Sequence, residues 1–175
     1  MLNFEKKGIN NICLVGMMGC GKSIIGHELG KYYKIKYIDS DKIIEEEVGE
    51  SINDIFKNHG EIFFRNYEEN ICKKLLNKKN CIISLGGGSV ENLNIRNAIK
   101  KKSYSIYLKV DIGILYKRLK NSIKRPLLKN VNKKLKLEEI YTRRKEFYNN
   151  ANLIVDNNYD KNQVMKIITN KLNFK

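Results

Sequence analysis

The run Gly16-Met17-Met18-Gly19-Cys20-Gly21-Lys22-Ser23 fits the spacing GxxxxGK[ST]. Glycines at these positions let a loop curl until its backbone N–H groups point inward at the oxygens of a phosphate chain. A helix that opens at the lysine adds the partial positive charge of its N-terminus. Lys22 is then placed to reach the β- and γ-phosphates, and the Ser23 hydroxyl to ligate Mg²⁺. The bland alternative, a glycine-rich turn with an ordinary lysine, does not explain why an apolar run precedes the motif and a helix-like pattern follows it. The motif therefore predicts a nucleoside triphosphate site. It does not say what is done there, because motors, switches and small kinases all use it.

A second set of residues has the chemistry of an acceptor site. Asp39-Ser40-Asp41 offers two carboxylates one residue apart. One can hold hydrated Mg²⁺ near Ser23, and the other can orient an acceptor hydroxyl and take its proton. Helix capping by Ser40 or Asp41 explains the same spacing equally well. Gly86-Gly87-Gly88 permits close approach to the backbone, or makes a plain turn. Arg65 follows two phenylalanines and could clamp a carboxylate, or simply pair with Glu68 or Glu69 on its own helix. A polar, basic gap carries Arg125-Pro126-Leu127-Leu128, with Arg118 before it and Arg143-Arg144 after it. A loop arginine of this kind suits a lid that closes over phosphates and excludes water; a solvated basic loop is the alternative. His27 and His59 stand apart from other plausible ligands and read as packing or surface residues.

The elements that must position these groups alternate. Short apolar runs at 12–15, 37–39, 81–85, 105–108 and 153–155 read as strands, the first as a buried one. Helical patterns fall at 22–33, 41–48, 51–58, 61–78, 92–102, 111–120, 136–149 and 160–172. Strand–helix alternation predicts an α/β fold, a parallel sheet with helices on both faces. In such sheets ligands bind beyond the carboxyl ends of the strands, and Gly16, Asp39 and Gly86 all stand at those ends.

Composition narrows the class. The 175 residues suit one domain, 1–175, and 42% of them are hydrophobic, enough for a core. No run of 18 apolar residues is present, and Met1–Lys7 holds no apolar leader-like stretch, so a cytoplasmic protein without a membrane partner is expected. Cys13, Cys20, Cys72 and Cys81 form no CxxC and predict a reduced protein. The net charge of +15 by itself suggests nucleic acid. It is uneven, however: residues 39–69 carry ten acids against three basic residues, and residues 96–145 carry seventeen basic residues against three acids. Acidic and basic segments in one small domain suit a site that handles a cation and an anion together.

In combination these residues resemble the shikimate kinase family, small P-loop kinases related to the nucleoside monophosphate kinases. The resemblance runs through Gly16–Ser23, Asp39-x-Asp41 with Ile44-Glu45, and Gly49-x-Ser51-Ile52-x-x-Ile55-Phe56. It continues through Gly60-Glu61, Phe64-Arg65-x-x-Glu68, Ser84-Leu85-Gly86-Gly87-Gly88, Arg125-Pro126-Leu127-Leu128, and Arg144 with Tyr148 and Ala151. It implies transfer of the ATP γ-phosphoryl group to the 3-hydroxyl of shikimate, in the pathway to aromatic amino acids. It implies a P-loop kinase fold with strand order 2-3-1-4-5, residues 41–78 as substrate-binding helices and 119–133 as a lid. By position, Gly16, Gly19, Cys20, Gly21, Lys22 and Ser23 would bind ATP, with Ser23 and Asp39 on the Mg²⁺ side. Asp41, Arg65, Glu68, Gly87, Gly88 and Arg144 would bind shikimate. Arg118 would lie against adenine and Arg125 would be the lid arginine. Lys22, Asp41 and Arg125 would be the catalytic groups, in a monomer with no nucleic-acid partner.

The chain departs from the family pattern at Ile24, where a second hydroxyl residue is common, and at Asn157–Lys161, which lacks the arginine and proline of the adenine-side loop. Two other readings compete. A kinase of another hydroxy acid such as gluconate should lack the combined FRxxE and GGG elements. A basic nucleic-acid-binding NTPase should show a basic stripe with stacking aromatics, and the acidic 39–69 segment argues against it.

Overall fold

The computed structural model describes residues 4–123 and 125–172. The reading of Met1–Asn3 and the Lys124 position of the lid lie outside the described residues. Five strands, β1 (Asn11–Val15), β2 (Lys36–Asp39), β3 (Cys81–Ser84), β4 (Ser103–Lys109) and β5 (Leu153–Asp156), form one parallel sheet in the order β2-β3-β1-β4-β5. β1 sits at its centre and is buried along its whole length, as a continuous apolar run requires. β4 is longer than its apolar run because it pairs on both sides, Ser103 with Asn11 of β1 and Lys109 with Asp156 of β5.

The helices are α1 (Lys22–Tyr33), α2 (Ser40–Val48), α3 (Ile52–Asn58), α4 (Gly60–Leu76), α5 (Leu93–Lys102), α6 (Ile112–Leu119), α7 (Lys133–Asn149) and α8 (Lys161–Lys171). Short 3₁₀ turns cover Ser89–Glu91 and Pro126–Leu128. α7 starts three residues before its apolar pattern does. The Asn132 side chain accepts from the Lys134 and Leu135 N–H groups and so caps the helix early. No described helix is long and apolar enough to cross a membrane.

Register places the chemistry. Leu14 and Asp39 both pair with Ser84, so β1, β2 and β3 end level with one another. The phosphate loop, the Asp39–Asp41 segment and the three glycines therefore leave the sheet from one edge.

Candidate active site

The loop between β1 and α1 needs its glycines for backbone reasons. Gly16, Gly19 and Gly21 have φ of 144°, 76° and 95°, which side chains rarely adopt. A β-carbon at Gly16 would also lie 2.8 Å from the Leu108 carbonyl oxygen. Lys22 Nζ folds over the loop and donates to the carbonyls of Gly16 at 2.9 Å and Met17 at 3.2 Å. Two neighbours hold the loop from outside. Arg118 Nη1 on α6 donates to the Gly19 carbonyl at 3.1 Å, and Asn157 Nδ2, just after β5, donates to the Cys20 carbonyl at 2.5 Å. Asn157 stands where the family pattern departs, and its link to the loop is invisible in sequence because 137 residues separate the partners.

Asp39 faces Ser23 across the loop. Its Oδ2 accepts from Ser23 Oγ at 2.9 Å and from the Tyr37 hydroxyl at 2.9 Å, and its Oδ1 accepts from the Asp41 N–H at 3.0 Å. Of the two readings weighed for this segment, the capping alternative falls to neither Ser40 nor Asp41: Asp39 itself caps α2. Ser40 is buried and accepts instead from the Gly86 N–H at 3.0 Å. Ser23 and Asp39 offer a hydroxyl and a carboxylate, both oxygen donors, which suits a hard cation that keeps most of its waters and leans on nucleotide phosphates. Among the described residues no group of three His, Cys, Asp or Glu side chains converges to hold a metal alone.

Asp41, one step on, has the opposite surroundings. Its Oδ1 is enclosed and has no hydrogen-bond partner. Burial, then the charges of Asp39 and Glu68, push the carboxyl up to about 6 against the pull of Lys22 and Arg125. Glu68 on α4 is 2% exposed and is held by Ser89 Oγ at 2.7 Å and Arg65 Nη1 at 2.7 Å. Arg65 also binds Glu61 through Nε and Nη2, so the helical pairing is real. It coexists with a place on the cleft wall.

Each of the three glycines answers a different neighbour. A β-carbon on Gly86 would lie 2.5 Å from Glu68 Oε1 and 2.7 Å from Asp41 Oδ1. One on Gly87 would press on the phosphate loop at Met18 N and Gly16 O, and one on Gly88 would strike the Arg65 guanidinium. The run is a close-packed crossing of three elements and not a loose turn.

Arg144 on α7 is 1% exposed. Its Nε donates to Glu91 Oε1 at 2.6 Å, and its Nη2 is buried without a partner. Burial alone would raise the Glu91 carboxyl, but the hydrogen bond and charge of Arg144, joined by Arg143, hold it below its ordinary range. Tyr148, one turn on from Arg144, donates its hydroxyl to the Gly87 carbonyl at 2.5 Å and ties α7 to the glycine run.

These groups line one cleft of about 560 Å³ that includes Ser23, Asp39, Asp41, Arg65, Glu68, Gly86–Gly88, Arg125 and Arg144. Arg118 stands outside it, reaching from α6 to the Gly19 carbonyl of the loop. A larger hollow of about 860 Å³ lies beyond Arg125, between α3 and residues 122, 123 and 125–133. There Asn53 Nδ2 donates to the Ile123 carbonyl at 3.1 Å, a contact that ties α3 to the predicted lid. His27 packs on the Tyr37 ring and His59 pairs with Glu50, in keeping with packing and surface roles. Sequence reasoning assigns no role to Tyr37, Ser84, Ser89, Glu91 or Asn157, although Ser84 stands in the glycine motif and Asn157 in the divergent segment. Tyr37 has a local signal of its own, the same-face spacing of Tyr37 and Asp39 on one strand.

Comparison with known proteins identifies the family. Residues 18–173 match the protein-family model described as Shikimate kinase. A shikimate kinase from Clostridium botulinum strain 657 is 42% identical over 163 residues, covering 91% of this chain and 95% of that one. A shikimate kinase from Sulfurihydrogenibium sp. strain YO3AOP1 is 39% identical over 160 residues, covering 91% and 94%. The solved structure of shikimate kinase from Acinetobacter baumannii in complex with shikimate superposes with a TM-score of 0.90 at 29% identity, over 95% of each chain.

Proposed function

The chain belongs to the shikimate kinase family, and from that premise we propose how its own residues divide the work of an ATP-dependent shikimate kinase. The reaction transfers the γ-phosphoryl group of ATP to the 3-hydroxyl of shikimate. One observation carries the division of labour. Among the described residues, the buried side-chain polar atoms without a partner are Asp41 Oδ1 and Arg144 Nη2, and both residues line the same cleft. Buried polar atoms are ordinarily satisfied. An acceptor and a charged donor left open in one cleft suit a ligand that brings a hydroxyl to the first and a carboxylate to the second.

In this reading Asp41 orients the shikimate hydroxyl and takes its proton, a task favoured by a carboxyl near 6. Arg144 binds the carboxylate together with Arg65. Glu91 and Glu68 fix the two arginines from behind, and the Gly87–Gly88 backbone borders the substrate. The backbone of Gly16–Gly21 with Lys22 holds the ATP phosphates, and Arg118 lies on the adenine side. Mg²⁺ belongs with Ser23 and Asp39; when bound it offsets charge on the phosphates. Arg125, on the lid 119–133, closes over the phosphates, and residues 41–78 are the substrate-binding helices of a single domain, 1–175. A monomer is the proposed working form. The four free cysteines suit the reducing cytoplasm.

The test is a coupled ADP-release assay. Shikimate should be phosphorylated and gluconate, a carboxylate with a flexible polyol chain, should not. Comparable turnover of gluconate, or none of shikimate, overturns the reading.

A further inference from the structure

Tyr37 is a strand residue whose hydroxyl does something packing does not require. It lies two residues before Asp39, on the same face of β2. The hydroxyl is 2.9 Å from Asp39 Oδ2 and 2.7 Å from Ser84 Oγ on the neighbouring strand. The direction of these bonds follows from proton counting. A carboxylate only accepts, and a tyrosine has one proton to give. Tyr37 therefore donates to Asp39, and Ser84 donates to the Tyr37 oxygen. The relay runs from Ser84 through Tyr37 to Asp39, and the β2–β3 register that pairs Asp39 with Ser84 sets its length. Space for the ring comes from α1: a β-carbon on Gly26 would strike it.

We infer that Tyr37, held by Ser84, is a positioning residue that aims the Asp39 carboxylate at the cation side of the phosphate loop. The inference rests on the assignment of Ser23 and Asp39 to that side. Ser23 also donates to Oδ2 at 2.9 Å, which leaves its oxygen lone pairs free for a cation. The Asp41 N–H takes the other oxygen. With Tyr37 in place the carboxylate has three donors that together favour one orientation. Without the tyrosine hydroxyl, one of the two bonds to Oδ2 is lost and the carboxylate can swing toward solvent. Partners that orient a metal-side carboxylate typically contribute 10–100-fold to metal affinity.

Tyr37→Phe keeps the ring against Gly26 and removes only the hydroxyl. Mg²⁺ titrated by calorimetry into the enzyme–ADP complex should bind about tenfold more weakly than to wild type, at the lower end of that range. The Mg²⁺ concentration for half-maximal rate should rise in parallel, excess Mg²⁺ should restore the rate, and the KM for shikimate should not move. Ser84→Ala should weaken Mg²⁺ binding in the same direction and by less than Tyr37→Phe, because Tyr37 then loses its own anchor; it also tests the relay should the Phe variant fold poorly. Asp39→Asn is the reference. If Asp39→Asn loses Mg²⁺ affinity while Tyr37→Phe and Ser84→Ala bind it like wild type, the positioning role is overturned and the cation-side assignment stands. If Asp39→Asn also binds Mg²⁺ normally, that assignment is itself wrong. A Tyr37→Phe variant that melts earlier and loses rate at every Mg²⁺ concentration also counts against the inference, since packing alone would do that.

Discussion

The phosphate loop and the acceptor cleft adjoin at Gly87 and are built in opposite ways. Most of the loop is assembled from one stretch of eight residues, and its groups are satisfied: Lys22 sits on two carbonyls and Asp39 receives three donors. The cleft draws Asp41 from α2, Arg65 and Glu68 from α4, and Arg144 from α7, and two of its polar atoms are buried and open. A closed electrostatic cradle can wait for its ligand without strain. An open one stores a desolvation cost that a ligand with matching groups relieves. Asp39 and Asp41 show the contrast within three residues.

That comparison breaks first at Asp41. Asp41→Asn keeps shape and a polar group but removes the proton acceptor, and single-turnover rates should fall by about 10²–10⁴-fold. Added Mg²⁺ should not rescue it, whereas Asp39→Asn should recover partly. The reverse pattern of rescue would exchange the two roles. On the loop side, Lys22→Ala should slow transfer by about 10²–10³-fold with unchanged circular dichroism, because the lysine bonds only to the loop and supports no core packing. Unfolding would show that the loop needs its lysine to form.

A smaller effect sharpens the cleft side. Arg144→Lys retains charge against Glu91 but loses the planar fork. The KM for shikimate should rise about 10–100-fold, in line with the loss of a charged hydrogen bond, and the KM for ATP should stay within twofold, by steady-state kinetics. Equal changes in both would put Arg144 outside the carboxylate site.

The smallest effect is one of stability. The Asp41 carboxyl is raised from an ordinary 3.8 to about 6, so the folded protein holds that proton more tightly than the unfolded chain. The stabilisation from protonation is complete below about 3.8 and is lost as pH rises through about 6. Above that the native state carries an ionised carboxylate beside Asp39 and Glu68. Asp41→Asn should therefore be more stable than wild type at pH 7.5 by about 1–3 kcal/mol, and the gain should vanish near pH 4. Wild-type kcat/KM should show an acid limb near pH 6 that the variant lacks. Equal melting curves at pH 7.5 would mean that Asp41 carries no such cost.

Legibility followed chain distance. Strand and helix positions came from periodicity to within a few residues, and the misplaced ends, such as the start of α7, turn on a single capping side chain. The three glycines could be seen in the sequence, but not that Gly86, Gly87 and Gly88 each clear a different neighbour. Arg65 looked like either a clamp or a helix pair, and it is a helix pair on the cleft wall.

What the sequence determined by itself is what short spacing encodes. The phosphate loop is a backbone conformation dictated by glycines five residues apart, the alternation of elements dictates a parallel sheet, and the ordered motifs identify the family. What tertiary structure decided is which side chains remain unpaired. Glu91 meets Arg144 across 53 residues and Asn157 meets Cys20 across 137. Whether Asp41 or Asp39 receives the hydrogen bonds depends on Tyr37, Ser84 and Ser23 arriving from three elements. Satisfaction of a buried polar group is a property of everything packed around it, so the difference between two aspartates two residues apart exists only after the chain has folded.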